Sequence, residues 1–305
     1  MNRAMSLLNP LTPLNPRIRN WRGLRVWLVG ASSGIGEALA HELLARGARV
    51  VLSARREDVL RKIADEAPDP QQVLVAALDI TDMQQVLTAQ RQVFERWNGI
   101  DLTIVLAATY QPMDTASLTI EAARPILRVN LEGVYNLLAA LLPTLRRTRT
   151  GHLAIVSSVA GYRGLPRSPV YGPSKAALNN LTESLYLELR PLGIGVSLVN
   201  PGFVQTPLTA LNEFPMPAII TPGQAAREIL RGLSLGRFEI HFPARFTLAM
   251  KILALLPARL YFWLTGRITG ASEKQHSSPG AEDPITPQQG PTADAEDQQP
   301  GQGPR

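Results

Sequence analysis

VWLVGASSGIGEALAHELLARG, residues 26–47, is an apolar run that stops at Gly30 and restarts as a helix. Gly30, Gly34 and Gly36 stand at the junction in a G-x-x-x-G-x-G spacing, one residue longer between the first two glycines than the G-x-G-x-x-G form. Glycines there let backbone approach an anion closely while the N–H groups of the new helix point at it, so the turn predicts a phosphate site. Ser32 and Ser33 add hydroxyl donors beside Ile35. Read alone, the same turn also fits a strand-to-helix junction that holds nothing. The rest of the chain narrows the choice.

Outward from this turn, short apolar runs alternate with helical periodicity between about residues 24 and 241. Strands are expected at 25–30, 48–54, 73–78, 101–107, 152–158, 194–200 and 238–242. Helices are expected at 34–46, 57–66, 82–97, 170–190 and 222–232, with a long one around 116–147 that has Pro125 near its start. The pattern is that of a single doubly wound α/β domain, with about seven parallel strands and helices on both faces, over residues 24–243. No internal repeat and no second core interrupts it.

The flanks read differently. Residues 1–23 carry Asn9, Pro10, Pro13 and Pro16, which interrupt any apolar core of a secretory leader, so an extended arm is expected. Residues 271–305 are rich in Pro, Gly, Gln and acids and nearly devoid of large apolar residues, so that tail is expected to be disordered. The chain of 305 residues is 45% apolar and has no cysteine, which excludes disulfides and thiolate metal sites. His41, His152, His241 and His276 are scattered, so no metal site is expected. A cytoplasmic location is the expectation.

The net charge of +6 is unevenly spread: before Ser272 the chain holds 29 bases against 19 acids, a net of +10. Such a body attracts nucleic acid, an anionic membrane or a phosphorylated cofactor. Arg55, followed by Arg56, stands where the second strand ends, nineteen residues past Gly36. An acid there would hold the ribose hydroxyls of NAD, whereas arginine suits a 2′-phosphate, so NADP(H) is expected over NAD(H) and no nucleic acid is expected. The same arginines also fit a solvated start to the next helix.

A second constellation is chemical. Tyr171 and Lys175 are four apart at a helix start and share a face, and Ser158 ends the preceding strand, opening onto the same crevice as the glycine turn. A neighbouring ammonium, with a bound cationic nicotinamide, would lower the phenol's proton affinity toward the range useful for acid–base work.

Together these motifs resemble the short-chain dehydrogenases/reductases, in their Rossmann-fold branch with Tyr-x-x-x-Lys, over about residues 24–242. VGASSGIG is similar to that family's cofactor loop, LDITD places Asp79 and Ile80 at its adenine contact, and LRVNLEGV places Asn130 at its catalytic asparagine. The 13-residue interval from Ser158 to Tyr171 and the following Lys175 match its pattern. NPGFVQTPL implies that Val204 and Thr206 meet the nicotinamide carboxamide. The resemblance therefore implies Asn130, Ser158, Tyr171 and Lys175 as catalytic residues, and Asn130, Tyr171 and Lys175 also as cofactor contacts. It implies hydride exchange between a nicotinamide and a carbonyl or alcohol carbon, with Tyr171 passing the proton and Asn130 holding a water that links Lys175 to solvent. A homodimer or homotetramer is implied as well. One departure stands out: after the fourth strand the family has Asn-Ala-Gly, where this chain reads Leu106-Ala107-Ala108-Thr109. The departure trades polar contacts for Leu106 and adds a Cβ at Ala108, which puts cofactor affinity or stability in question.

The segment FVQTPLTALNEFPMPAIIT, residues 203–221, is apolar and proline-rich and carries no charge cluster, which suits a lid over a hydrophobic, lipid-like small molecule or simple packing on the core. Beyond the sheet, residues 244–270 are apolar with Arg245, Lys251 and Arg259 on one side of a helical wheel. Two short helices in a membrane interface are expected through 245–266, on the inner surface, with a pocket or dimer contact as the alternative. Two functions are consistent with all this: an NADP(H)-dependent oxidoreductase, or a non-catalytic NADP(H)-sensing protein of the same fold.

Overall fold

The computed structural model describes residues 12–269. The expected disordered tail, Gly270 and the first eleven residues of the arm lie outside the described residues.

Seven strands form one parallel sheet in the order β3-β2-β1-β4-β5-β6-β7. They are β1 Arg25–Val29, β2 Arg49–Ser53, β3 Val73–Val75, β4 Leu102–Val105, β5 His152–Val156, β6 Gly195–Pro201 and β7 Glu239–Phe242. The helices among the described residues are α1 Gly34–Ala45, α2 Glu57–Asp65, α3 Met83–Trp97, α4 Ile120–Leu127, α5 Gly133–Thr148, α6 Tyr171–Leu189, α7 Pro222–Ser234, α8 Ala244–Leu255 and α9 Ala258–Thr269. β1 shows why its apolar run is continuous. Val26 and Leu28 face a core built with α1, α2 and α7, while Trp27 and Val29 face a second core built with α3, α5 and α6. A strand covered on both sides has no solvent face to supply polar alternation. The strand order reverses between β1 and β4, and a crevice opens there above the carboxyl ends of the strands.

Two differences from the sequence expectation have physical causes. The long helix begins at Ile120, where the Thr119 hydroxyl accepts the N–H of Ala122 at 3.2 Å, rather than at 116. Residues 114–117 are instead held in a turn by the Asp114 carboxylate, which takes the N–H groups of Ala116 and Ser117. The helix then widens into one π turn at Arg128–Glu132 before continuing as α5.

The arm is also more than a loose extension. Asn15 is buried at the sheet edge, donating to the Val196 carbonyl at 2.7 Å and accepting the Val196 N–H at 3.0 Å. β7 pairs with β6 only from Leu198 onward, so the Asn15 amide satisfies strand groups that the neighbouring strand leaves open. Trp21 is buried against the α1 core.

Candidate active site

The glycine turn is tight for a steric reason. Gly30 has φ +103°, and a Cβ on it would stand 2.5 Å from the Ala107 nitrogen. A Cβ on Gly36 would stand 2.0 Å from the Gly30 carbonyl oxygen, so α1 reaches the sheet only through glycine at this position. Ser33, at the N-cap of α1, makes no side-chain cap hydrogen bond, which leaves first-turn N–H groups without that partner. The Leu106 and Ala107 N–H groups both donate to the Val29 carbonyl, and Leu106 packs on the α1 core, so the departure after β4 leaves this junction intact.

Arg56, rather than Arg55, reaches the turn: its guanidinium donates to the Ser32 carbonyl at 3.0 Å and to the Ser32 hydroxyl at 3.1 Å. Arg55 is exposed at the end of β2. Sequence reading centred on Arg55 because it comes first after the strand; the adjacent basic pair was the available signal for Arg56. Ile80 is buried, and its carbonyl accepts the Asn136 amide, while the Asp79 carboxylate accepts the Thr81 N–H and hydroxyl. Ile35 half-buries against the α1 core. Val204 is buried and bridges Ile220, closing the base of the 203–221 loop. Thr206 leans over the glycine turn, with its methyl 2.8 Å from where a Cβ on Gly34 would be. A narrow cradle with an uncapped helix start, a serine hydroxyl and a guanidinium fits a phosphate-bearing dinucleotide.

Across the crevice, Ser158 leaves β5 and accepts the Ala160 N–H at 3.1 Å. Gly161 lets this loop touch α6, since a Cβ there would stand 2.7 Å from the Lys175 backbone carbon. That contact brings Ser158 to hydrogen-bonding range of Tyr171. Tyr171 keeps some surface in the crevice, yet burial raises its phenol to about 12, opposed by the Ser158 hydrogen bond and reinforced by Tyr110. Burial thus outweighs the neighbouring ammonium in the protein alone: Lys175 lies 5.6 Å from the Tyr171 ring centroid and donates to the Val156 carbonyl at 3.1 Å, whereas the fall expected from the sequence counts a bound cationic nicotinamide as well. Lys175 is itself 2% exposed, and burial lowers it to about 8.

Asn130 sits in the π turn, fully buried. Its amide donates to the Thr109 carbonyl and the Ser174 hydroxyl and accepts the Thr109 N–H. Its side chain thus ties the segment that follows β4 to α6. π turns recur at functional sites because they displace a single residue inward.

Sequence reading missed Tyr110, which belongs to no motif. Its ring meets Tyr171 edge-on at 4.9 Å, and its hydroxyl donates to Asn212 in the 203–221 loop at 2.8 Å. Beside it opens a cleft of about 490 Å³ lined by Tyr110, Gln111, Pro112, Arg167, Leu211 and Glu213. No group of three or more metal-ligating side chains occurs among the described residues.

A parallel sheet with a phosphate cradle at its switch point and a Ser-Tyr-Lys cluster facing it defines a dinucleotide-binding enzyme class. The family model for short chain dehydrogenases matches residues 25–214. An uncharacterized oxidoreductase of Myxococcus xanthus is 35% identical over 235 residues, covering 77% of this chain and 93% of that protein. Another from Staphylococcus epidermidis is 34% identical over 61% of this chain and 80% of its own length. A Burkholderia phymatum short chain dehydrogenase/reductase solved in complex with NAD superposes with a TM-score of 0.70 at 23% identity, over 77% of this chain and 94% of that one. A Streptomyces avermitilis short-chain dehydrogenase gives 0.68 at 24% identity, over 82% and 99%. These two structures share the fold. The chain belongs to the short-chain dehydrogenase/reductase family and is an oxidoreductase of that type, a family that works with nicotinamide cofactors.

Proposed function

We propose that this protein is an NADP(H)-dependent oxidoreductase that interconverts a carbonyl and an alcohol on a hydrophobic small molecule, with Tyr171 as general acid and base. The observation that carries the reading is the convergence of Ser158, Tyr171 and Lys175 opposite the glycine turn. A bound nicotinamide supplies the hydride in reduction and takes it in oxidation. Gly30, Ser32, Ser33, Gly34, Ile35 and Gly36 would hold its pyrophosphate side, with Asp79 and Ile80 toward the adenine and Val204 and Thr206 toward the carboxamide. Asn130 would act by holding Thr109 and Ser174 in place.

With its phenol at about 12, Tyr171 is protonated at neutral pH and is set to donate to a carbonyl oxygen. Ser158 holds the phenol and the reacting oxygen together. As the proton leaves, the phenolate forms in a desolvated site, where Lys175 stabilises it. Lys175, at about 8, retains its proton at pH 7 for that role.

The basic pair Arg55 and Arg56 supports NADP(H), since neither position offers a carboxylate to ribose hydroxyls. Tyr110, Leu211 and the aromatic contacts of Phe203 with Phe214 and Phe246 support an apolar substrate. A homodimer or homotetramer accords with the family.

The test is NADPH oxidation across ketones, aldehydes and keto-lipids, with NADH alongside. Turnover with NADPH should exceed that with NADH, and Tyr171→Phe should lower kcat by about 10² or more while NADPH still binds. NADPH binding with no turnover across the panel would instead indicate the cofactor-sensing protein, and equal binding of NADH would remove the role of the arginines.

A further inference from the structure

The C-terminal helices divide their faces sharply. Inward, Thr247 bonds His241, Lys251 pairs with Glu239 at 2.5 Å, and Tyr261 is buried with its hydroxyl donating to the Gly164 carbonyl. Arg163 stacks on the Tyr261 ring at 3.9 Å and donates to the carbonyls of Ala254 and Leu256 at the end of α8. The sequence expectation that Lys251 belongs to the exposed basic side is thereby corrected: its ammonium is drawn inward by Glu239.

Outward, no other described residue covers the large apolar side chains of either helix. Leu248, Ile252 and Leu255 repeat along one stripe of α8, with Leu255 85% exposed. On α9, Phe262, Trp263 and Ile268 are 66%, 53% and 71% exposed. Arg245, Arg259 and Arg267 are exposed among them, and the Arg267 guanidinium lies 4.3 Å over the Trp263 ring. Between Ala244 and Thr269 there is no Asp or Glu.

We infer that the outer faces of α8 and α9 dock on an anionic lipid bilayer, lying in its surface. Charge complementarity selects this occupant. A second copy joined through the same face about a two-fold axis would set arginines against arginines with no carboxylate to separate them. The acidic stretch of this chain beyond Ser272 could meet the arginines, but Ile285 is its one large apolar residue and it cannot cover leucine, phenylalanine and tryptophan side chains. A bilayer surface supplies acyl chains for the apolar stripe and headgroup charge for the guanidiniums together. No helix among the described residues is long and apolar enough to cross a membrane, and each of these two spans only about 18 Å against the roughly 30 Å of a hydrocarbon core. The inference concerns this face alone and does not depend on the catalytic reading.

The experiment sediments the full chain with phosphatidylcholine vesicles, with and without phosphatidylglycerol. Most of the protein should pellet with the anionic vesicles and remain in solution with the neutral ones, with partial release in high salt. Arg259→Gln should weaken partitioning about fivefold, the effect of one surface charge. The double variant Ile252→Glu, Trp263→Glu should stay in the supernatant while its melting temperature and NADPH binding match those of the parent. Full-length protein that remains in solution with anionic vesicles would overturn the inference. So would a double variant that loses an oligomer in the absence of lipid, which would assign the face to a second copy.

Discussion

The glycine turn and the serine loop face each other across one crevice and are built in opposite ways. The turn has its tightest contact within residues 30–36, where Gly30 and Gly36 meet each other, and distant groups such as Ala107 and Arg56 only close on that local shape. The serine loop is held by residues far away. Tyr162 donates to Glu239 at 2.7 Å, Glu239 accepts Lys251 and Asn200, and Arg163 grips the end of α8 about ninety residues on. Burial alone would raise the Glu239 carboxyl, but the bonds from Lys251, Asn200 and Tyr162 hold it below its ordinary range, so it stays charged. A binding element can be local because it needs only a shape. A positioned hydroxyl needs a frame, and here the C-terminal helices belong to that frame.

The most direct way to break the local half is Gly36→Ala. Its new methyl would meet the Gly30 carbonyl, and the Gly30 backbone is held in place by its own N–H bond to the Ser53 carbonyl and by the Ala107 backbone behind it. Stability should fall by more than about 3 kcal/mol and NADPH binding should be lost. A variant that binds NADPH normally would show that the turn is looser than its packing implies.

Beneath both regions lies the shared sheet, and His152 at the start of β5 probes it. The ring is buried and bonds the Ser197 hydroxyl at 2.9 Å, and burial lowers it to about 4. Because the folded value lies below the unfolded one, near 6.5, the neutral ring contributes stability that is complete above pH 6.5 and is lost as pH falls toward 4. The loss should approach about 3 kcal/mol, read as a falling urea midpoint over that window. A midpoint that holds steady from pH 6.5 to 5 would contradict it.

The distant frame is sharpened by Glu239→Gln, which leaves Lys251 without its carboxylate. Stability should drop by about 2 kcal/mol, less than for a fully buried pair because both side chains retain some solvent. Turnover should fall through the loosened serine loop while NADPH affinity is unchanged. Equal losses in both would mean that the two sides of the crevice form one unit.

Much of this architecture is decided by the sequence alone. All seven strands fall within apolar runs bounded by turn residues, and the central ones do so because a strand covered on both faces has to be continuous, a constraint written residue by residue. The glycine turn and the four-residue interval from Tyr171 to Lys175 are likewise local, since helix geometry converts spacing directly into a shared face. Only the tertiary structure decided which arginine reaches Ser32, that Tyr110 stands against Tyr171, and that Asn130 occupies a π turn and spends its amide on Thr109 and Ser174. It also decided that Asn15 fills an open stretch of β6 and that Lys251 turns inward to Glu239. Each of these depends on partners from 12 to 181 residues away. No periodicity carries that information, because the partner's position is set by how the layers pack and the charge or amide then takes whichever group it finds within reach.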